Sequence, residues 1–337
     1  THYGPSAGLP ELREAVAAHV RRTRGIAVDP EQVVITPGGK PIMFFTLLAL
    51  VEEGDEVIYP DPGFPIYASM ANFVGARPVP LPLRESRAFR LDPDELASLV
   101  TPRTRLLILN SPHNPTGSVL TRDDLAAIAE VALKHDLMVL SDEIYSRILY
   151  EGEHHSIASF PGMAERTIIL DGFSKTYAMT GWRLGYGIVP PPLVAPMVRL
   201  VVNSVSCTAP FTQLAGLAAL EGPQHDVERM VAEFARRRAL MVDGLNAIPG
   251  IRCLPPQGAF YVFPNIQGLG LSSAEAADRL LEEAGVATLS GTAFGQHGEG
   301  YLRLSYANSR ENLERALERI DALARAILAK ASPAPPG

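Results

Sequence analysis

Cysteine is nearly absent from this 337-residue chain. Cys207 and Cys253 are the only two, and nothing near either has metal-ligand spacing. Two isolated thiols exclude a disulfide-built secreted scaffold and fit a reducing cytosol, so a cytoplasmic location is expected. No apolar run reaches the ~18 residues of a membrane-spanning helix, so no membrane is expected as partner. No basic block stands out, and the net charge is -7. Nucleic acid is therefore not an expected partner either. Internal repeats and low-complexity segments are missing as well.

What is present describes a folded globular protein, with 47% hydrophobic and 20% charged residues. The length exceeds one ordinary core, so two domains are expected. A helix opens at Leu9-Pro10-Glu11-Leu12-Arg13, with Leu9, Leu12, Val16 and Val20 on one face, and Gly25 stops it. From there, apolar runs at 33–36, 56–59, 77–81, 105–110, 137–140, 167–170 and 185–189 read as seven strands. They alternate with helical patterns, which argues a mostly parallel sheet with helices on both faces. Past Pro190 the pattern turns helical, and a long helix over 226–245 bridges to shorter elements. These are strands at 258–263, 286–289 and 301–306, and helices at 274–283 and 308–330. The expected division is a large domain, 1–235, and a small one, 236–337, ending in a frayed tail at 333–337.

Charged and polar residues stand where these strands end. Lys175 follows the strand of Thr167 to Leu170 after a break at Gly172. A lysine beside a buried strand end lies near low dielectric, which lowers its pKa. A neutral amine is a nucleophile that forms a Schiff base with an aldehyde. Arg183 offers a fixed fork suited to a phosphate. Lysine, arginine and small residues together are what pyridoxal phosphate (PLP) requires. Gly38-Gly39-Lys40 joins a strand to a helix start, where free N–H groups and the helix dipole make an anion site. Asp142 closes a buried strand and needs a cationic partner; a pyridinium N–H is one. Phe64 after a strand end can stack on a flat ring. Arg303, flanked by apolar neighbours, needs an anion. Glu143 reads as structural, Glu153-His154-His155 as a solvated loop rather than a metal pair, and Arg236-Arg237-Arg238 as a solvated helix face.

The string from Thr167 through Ser174-Lys175 and Gly181-Trp182-Arg183 to Tyr186 resembles the Schiff-base segment of the class I/II aminotransferases, the fold-type I PLP enzymes. Tyr3-Gly4-Pro5 through Arg13, Gly38-Gly39-Lys40, Asn114-Pro115-Thr116-Gly117 and Ser141-Asp142-Glu143-Ile144-Tyr145 match further family motifs, and the resemblance runs to about Lys330. It implies an α/β fold, a seven-stranded mostly parallel sheet in a large domain plus a smaller α/β C-terminal domain. It implies PLP on Lys175 and ping-pong transamination of an amino acid with a 2-oxo acid. By the same resemblance Asp142 keeps the cofactor ring protonated, and Tyr145 and Asn114 hold its phenolic oxygen. Gly38, Gly39, Ser174 and Arg183 hold the phosphate, and Arg303 with Asn114 takes the substrate α-carboxylate. Tyr3 reaches the phosphate of a partner subunit, so a homodimer with shared sites is expected. Lys40 matches the bacterial aspartate aminotransferase subgroup, where this lysine meets the distal carboxylate; aspartate with 2-oxoglutarate is the expected pair.

Two departures stand against the pattern. Phe64 occupies a place where the family often has Trp, whose N–H helps hold acidic substrates, and Gly172 one where some members have Ser. Two rival readings keep the scaffold: a PLP-dependent β-lyase or cyclopropane-carboxylate synthase, and the aminotransferase-like domain of a transcription regulator. Family chains begin some tens of residues earlier, with an arm that gates the substrate, so a segment preceding Thr1 is expected.

Overall fold

The structure, a computed structural model, describes residues 2–331. The tail expected at 333–337 lies outside the described residues. The chain begins with α1 (Pro10–Arg24), which has proline in its first turn and ends on Gly25 in the left-handed region. Then β1 (Val33–Thr36), α2 (Lys40–Leu50), β2 (Glu56–Asp61), α3 (Ile66–Phe73), β3 (Arg77–Pro82), α4 (Pro93–Leu99), β4 (Thr104–Asn110), α5 (Arg122–Lys134), β5 (Met138–Asp142), β6 (Thr167–Gly172) and β7 (Gly185–Ile188) follow. They build a seven-stranded sheet in the order β1-β7-β6-β5-β4-β2-β3. Only β7 runs against its neighbours, β1 and β6.

The near-continuous apolar strands follow from burial on both faces. In β4, Leu106 and Ile108 enter one core with Val57, Leu140 and Ile168. Leu107 and Leu109 enter another, on the opposite face, with Ile58, Val79 and Val139. The period-two alternation of side chains divides one strand between the two layers. The carboxyl ends of β4, β5 and β6 lie side by side, with Asn110 opposite Asp142 and Asp142 opposite Leu170. An open α/β sheet binds its ligands at this edge.

Helices α6 (Pro191–Ser204), α7 (Pro210–Glu221) and α8 (His225–Asn246) come next. Helix α8 carries Phe234, Met241 and Leu245 into a separate apolar core. That core is completed by β8 (Tyr261–Val262), α9 (Ser273–Glu282), β10 (Leu302–Ser305) and α10 (Arg310–Ala331); β9 (Leu289–Ser290) pairs with β10 at the edge of the sheet β8-β10-β9. The strand expected over 258–263 contracts to two residues. Gly258 pairs with Leu149 instead, and Ala259, at φ 58°, turns the chain before Tyr261. The strand expected at 286–289 contracts likewise to Leu289–Ser290, the stretch that pairs with β10. Among the described residues no helix is long and apolar enough to cross a membrane.

Candidate active site

A cleft of about 370 Å³ opens at the carboxyl edge of the sheet, facing β10 of the three-stranded sheet. It brings together Gly39, Lys40, Phe64, Asn114, Asp142, Tyr145, Ser174, Lys175, Arg183 and Arg303, residues separated by up to 264 positions (303 − 39) in the chain. Gly38 stands just behind it against Arg183. Tyr3 does not reach this chain's own cleft; its side chain is 88% exposed.

Lys175 sits in the turn that follows β6. Its Nζ lies 5.4 Å from the ring centre of Phe260 and 5.8 Å from that of Tyr145, and it makes no hydrogen bond or ion pair with a described residue. Burial lowers its pKa; Arg303 lowers it too, Asp142 opposes, and Arg183 and Lys40 add to the lowering. The amine is thereby moved toward its nucleophilic form. Gly172, the departure noted above, packs backbone against backbone. A Cβ there would stand 2.8 Å from Gly185 Cα.

Asp142 ends β5 in full burial. Its Oδ2 accepts the Tyr67 hydroxyl at 2.8 Å, and its Oδ1 accepts the Ile144 N–H at 3.3 Å. Burial pushes its pKa up to about 6, against the two hydrogen bonds and with the help of Asp171 and Glu143. A carboxylate in this position favours any cation placed before it. The Tyr145 hydroxyl shares a hydrogen bond with Tyr261 at 3.0 Å, and burial holds its pKa well above the usual phenol value.

The turn bearing Asn114 is tied to the same strand end. Asn110 Oδ1 accepts the Asn114 N–H at 2.9 Å, while Asn110 Nδ2 donates to the Asp142 carbonyl at 3.0 Å. Asn114 Oδ1 in turn accepts from Arg303 Nη1 at 3.1 Å. The Arg303 guanidinium lies between two aromatic rings, 4.5 Å from the centre of Tyr261 and 4.7 Å from that of Phe294. Its Nε is buried without a hydrogen-bond partner. A flattened fork with a spare donor suits a carboxylate.

At the opposite end α2 starts on Gly39 with no side-chain cap; Pro41 has no N–H and the Ile42 N–H donates to the Gly39 carbonyl at 3.1 Å, so the Gly39 and Lys40 N–H groups are the ones left for an anion. Gly38, at φ 85°, keeps this corner open; a Cβ there would stand 2.4 Å from Arg183 Nη2. Arg183 itself holds a left-handed backbone, φ 56°, after the short turn Thr180–Trp182, and donates from Nη1 to the Thr180 carbonyl at 2.8 Å. Lys40 lies at the mouth with Nζ 5.6 Å from the centre of the Phe64 ring.

The sequence motifs include Tyr67 but give no role to it, to Tyr261 or to Phe294. Tyr67 follows Phe64 by three residues across the start of α3, and the two rings meet edge-on with centres 6.0 Å apart. Tyr261 was legible only as half of an aromatic pair, Phe260-Tyr261, in a strand. Two expectations need correction. His154 is not solvated: its Nε2 meets Glu143 Oε2 at 3.0 Å and its side chain is 8% exposed. Arg238 leaves the solvated face too, lying 5.3 Å from the Tyr150 ring centre and pairing with Glu151, whereas Arg236 and Arg237 pair with Glu233 on their own helix.

Comparison with known proteins agrees with this geometry. The model of the family described as aminotransferase class I and II matches residues 1–320. Aromatic-amino-acid aminotransferase 2 of Thermococcus litoralis is 46% identical over 325 residues, 95% of this chain and 83% of that one. Aspartate aminotransferase of Pyrococcus abyssi is 45% identical over 329 residues, 96% of this chain and 84% of that one. The solved structure of Thermus thermophilus aspartate aminotransferase with maleate has a TM-score of 0.90 at 41% identity, covering 96% of this chain and 84% of that one. The chain belongs to the aminotransferase class I and II family. Within it, the protein is a PLP-dependent transaminase acting on amino and 2-oxo acids, and of the three readings drawn from the sequence transamination is the one that stands. The cleft fits the cofactor on its own geometry: an unpaired amine, a fully buried carboxylate, and an anion corner that a single Cβ on Gly38 would fill.

Proposed function

We propose that this enzyme moves the amino group of L-aspartate to 2-oxoglutarate. The observation that carries the substrate is Lys40, a cation at the cleft mouth, paired with no carboxylate of the described chain. An acidic substrate side chain supplies that partner. The name of the Pyrococcus abyssi relative supports the same reading. Phe64 favours a second donor class. Its ring carries no N–H and offers an apolar face to an aromatic side chain, and the Thermococcus litoralis relative is named for aromatic amino acids.

Bound PLP supplies an aldehyde for amine exchange and a protonated ring that takes up the electron pair left at the substrate Cα. Lys175 Nζ is assigned as the group that would hold it covalently and, once displaced by substrate, as the base that would take the Cα proton and, as acid, deliver it to the cofactor carbon that carried the aldehyde. Asp142 holds the ring nitrogen's proton in place, and Tyr67 and the Ile144 N–H hold Asp142. Tyr145 and Asn114 orient the ring through its phenolic oxygen. Gly38, Gly39, Ser174, Arg183 and the start of α2 cradle the phosphate. Arg303 takes the α-carboxylate, with Asn114 fixing its fork.

Tyr3, exposed here, is assigned to the cleft of a partner subunit in a homodimer, which makes the sites shared. The large and small domains divide at 235/236, within α8, and the two unpaired thiols fit the cytoplasm. The test is a panel of amino donors with 2-oxoglutarate as acceptor. Aspartate should lead; a panel led by a basic or small aliphatic donor would remove the assignment.

A further inference from the structure

Arg24, the last residue of α1, lies outside the cleft and is fully buried. Its Nε donates to Glu143 Oε2 at 2.5 Å, and its Nη2 donates to Asp171 Oδ2 and, at 3.2 Å, to Ser146 Oγ. The remaining oxygens are filled as well. Glu143 Oε1 accepts from Ser141 at 3.0 Å and from Ser156 at 2.6 Å; its Oε2 also meets His154. Asp171 accepts the Gly172 N–H at 2.6 Å and the Tyr186 hydroxyl at 3.3 Å. A buried guanidinium is tolerated only with such complete pairing.

The location of the two carboxylates gives the cluster its meaning. Glu143 directly follows Asp142 at the end of β5. Asp171 is the penultimate residue of β6, four positions before Lys175. One side chain from α1 thus bridges the two adjacent strand ends that present the assigned ring partner and the nucleophile. The bridge is electrostatic as well as steric. Arg24, Glu143 and Asp171 sum to one negative charge, and without Arg24 they would sum to two beside Asp142.

We propose that Arg24 is a positioning residue for transamination: it fixes the ends of β5 and β6 relative to each other, and its charge shields Asp142 from Glu143 and Asp171. The inference rests on the assignment of Asp142 to the cofactor ring. The ionisable groups facing Asp142 are Tyr67 from α3, Tyr145 from the turn after β5, Lys175 and Asp171 from the β6 end, and Glu143 beside it. Facing Arg24 are Glu143, Asp171, Tyr186 from β7 and His154 through Glu143. His19, on α1 itself, is kept neutral, its pKa lowered to about 3 by burial and by Arg24, Arg147 and Arg22. Burial acts against the charged form of Glu143, yet Arg24 and His154 hold its carboxyl down at about 2. Both Asp171 and Glu143 push Asp142 toward its protonated form.

The experiment measures PLP retained by the holoenzyme after dialysis between pH 5 and 9, read from the visible band of the bound cofactor. The melting temperature of each cofactor-free chain reports folding. Arg24→Met should move the acid limb of retention up by about one pH unit, which is a tenfold loss of PLP affinity on that limb. Arg24→Met/Asp171→Asn, which restores one net negative charge, should bring the limb back. Asp171→Asn alone, which keeps the Arg24–Glu143 bond, should move it down, and this variant carries the test if Arg24→Met does not fold. A limb that stays fixed in Asp171→Asn, or a double variant no better than Arg24→Met, overturns the proposal. Asp142→Asn is run alongside. If it retains PLP as the wild type does, the assignment of Asp142 fails; if it loses PLP while the other variants leave the limb unmoved, only the role of Arg24 fails.

Discussion

Tyr67 donates its hydroxyl to Asp142 Oδ2 at 2.8 Å, and both side chains are closed off from solvent. Burial raises the Tyr67 pKa well above 10, so the phenol remains a donor at every working pH. The bond favours the ionised form of Asp142, the form that a ring cation needs. Tyr67→Phe keeps the edge-on packing against Phe64 and removes only this donor. A hydrogen bond to a charged group contributes roughly 1.5–3 kcal/mol. The PLP dissociation constant, measured by titrating the cofactor-free chain, should rise by about 10-fold or more.

Asp142 also makes the stability of the cofactor-free chain depend on pH. Its pKa rises from 3.8 to about 6 on folding, chiefly through burial. The folded chain therefore binds this proton more tightly than the unfolded chain. The resulting stabilisation is complete below about pH 3.8 and is lost as pH climbs through about 6. Asp142→Asn removes that slope. Without cofactor the variant should gain on the wild type across this window, by on the order of 3 kcal/mol, in denaturant melts at pH 4 and pH 7.

The seven strands were legible because each is a short apolar run bounded by turn residues, and all but the edge strand β3 are buried on both faces, as Leu106 to Asn110 illustrates. The residues at the strand ends were legible for the opposite reason. Asp142 and Lys175 are charges set where burial makes them costly, Arg183 is an exposed one in a turn, and matching motifs gave all three their roles. Tyr67 was hidden because its partner lies 75 residues away, and a tyrosine on an amphipathic helix looks like core. Arg24 was hidden likewise among the basic residues that commonly close a helix; only the folded chain puts it against Glu143 and Asp171. The strand expected over 258–263 was overdrawn because an apolar, aromatic run does not reveal the left-handed Ala259.

Lys40 and Phe64 divide the proposed substrate preference between them. Lys40→Ala should lower kcat/KM for aspartate by about 10- to 100-fold, the loss of one charged pairing. The value for phenylalanine should change by less than about threefold, since the Phe64 ring remains. Equal losses on both donors would show that Lys40 acts on the cofactor end of the cleft rather than on the substrate side chain.

Phe294 covers one face of Arg303 while Tyr261 covers the other. Phe294→Ala frees the guanidinium to rotate away from Asn114 and loosens the pocket for the α-carboxylate. A cation–π contact of this kind contributes about 0.5–2 kcal/mol. Steady-state kinetics should show KM for the amino donor raised by about 3- to 30-fold, with the visible band of bound PLP unchanged.

The central claim is that Lys175 is the amine that holds the cofactor. The chain contains four lysines, Lys40, Lys134, Lys175 and Lys330, so the attachment point can be read directly. The holoenzyme is reduced with borohydride, digested with a protease, and its peptides are mapped by mass spectrometry. The pyridoxyl mass should appear on the peptide containing Ser174-Lys175-Thr176 and on no other. The same mass on Lys40, Lys134 or Lys330, with Lys175 unmodified, would contradict it.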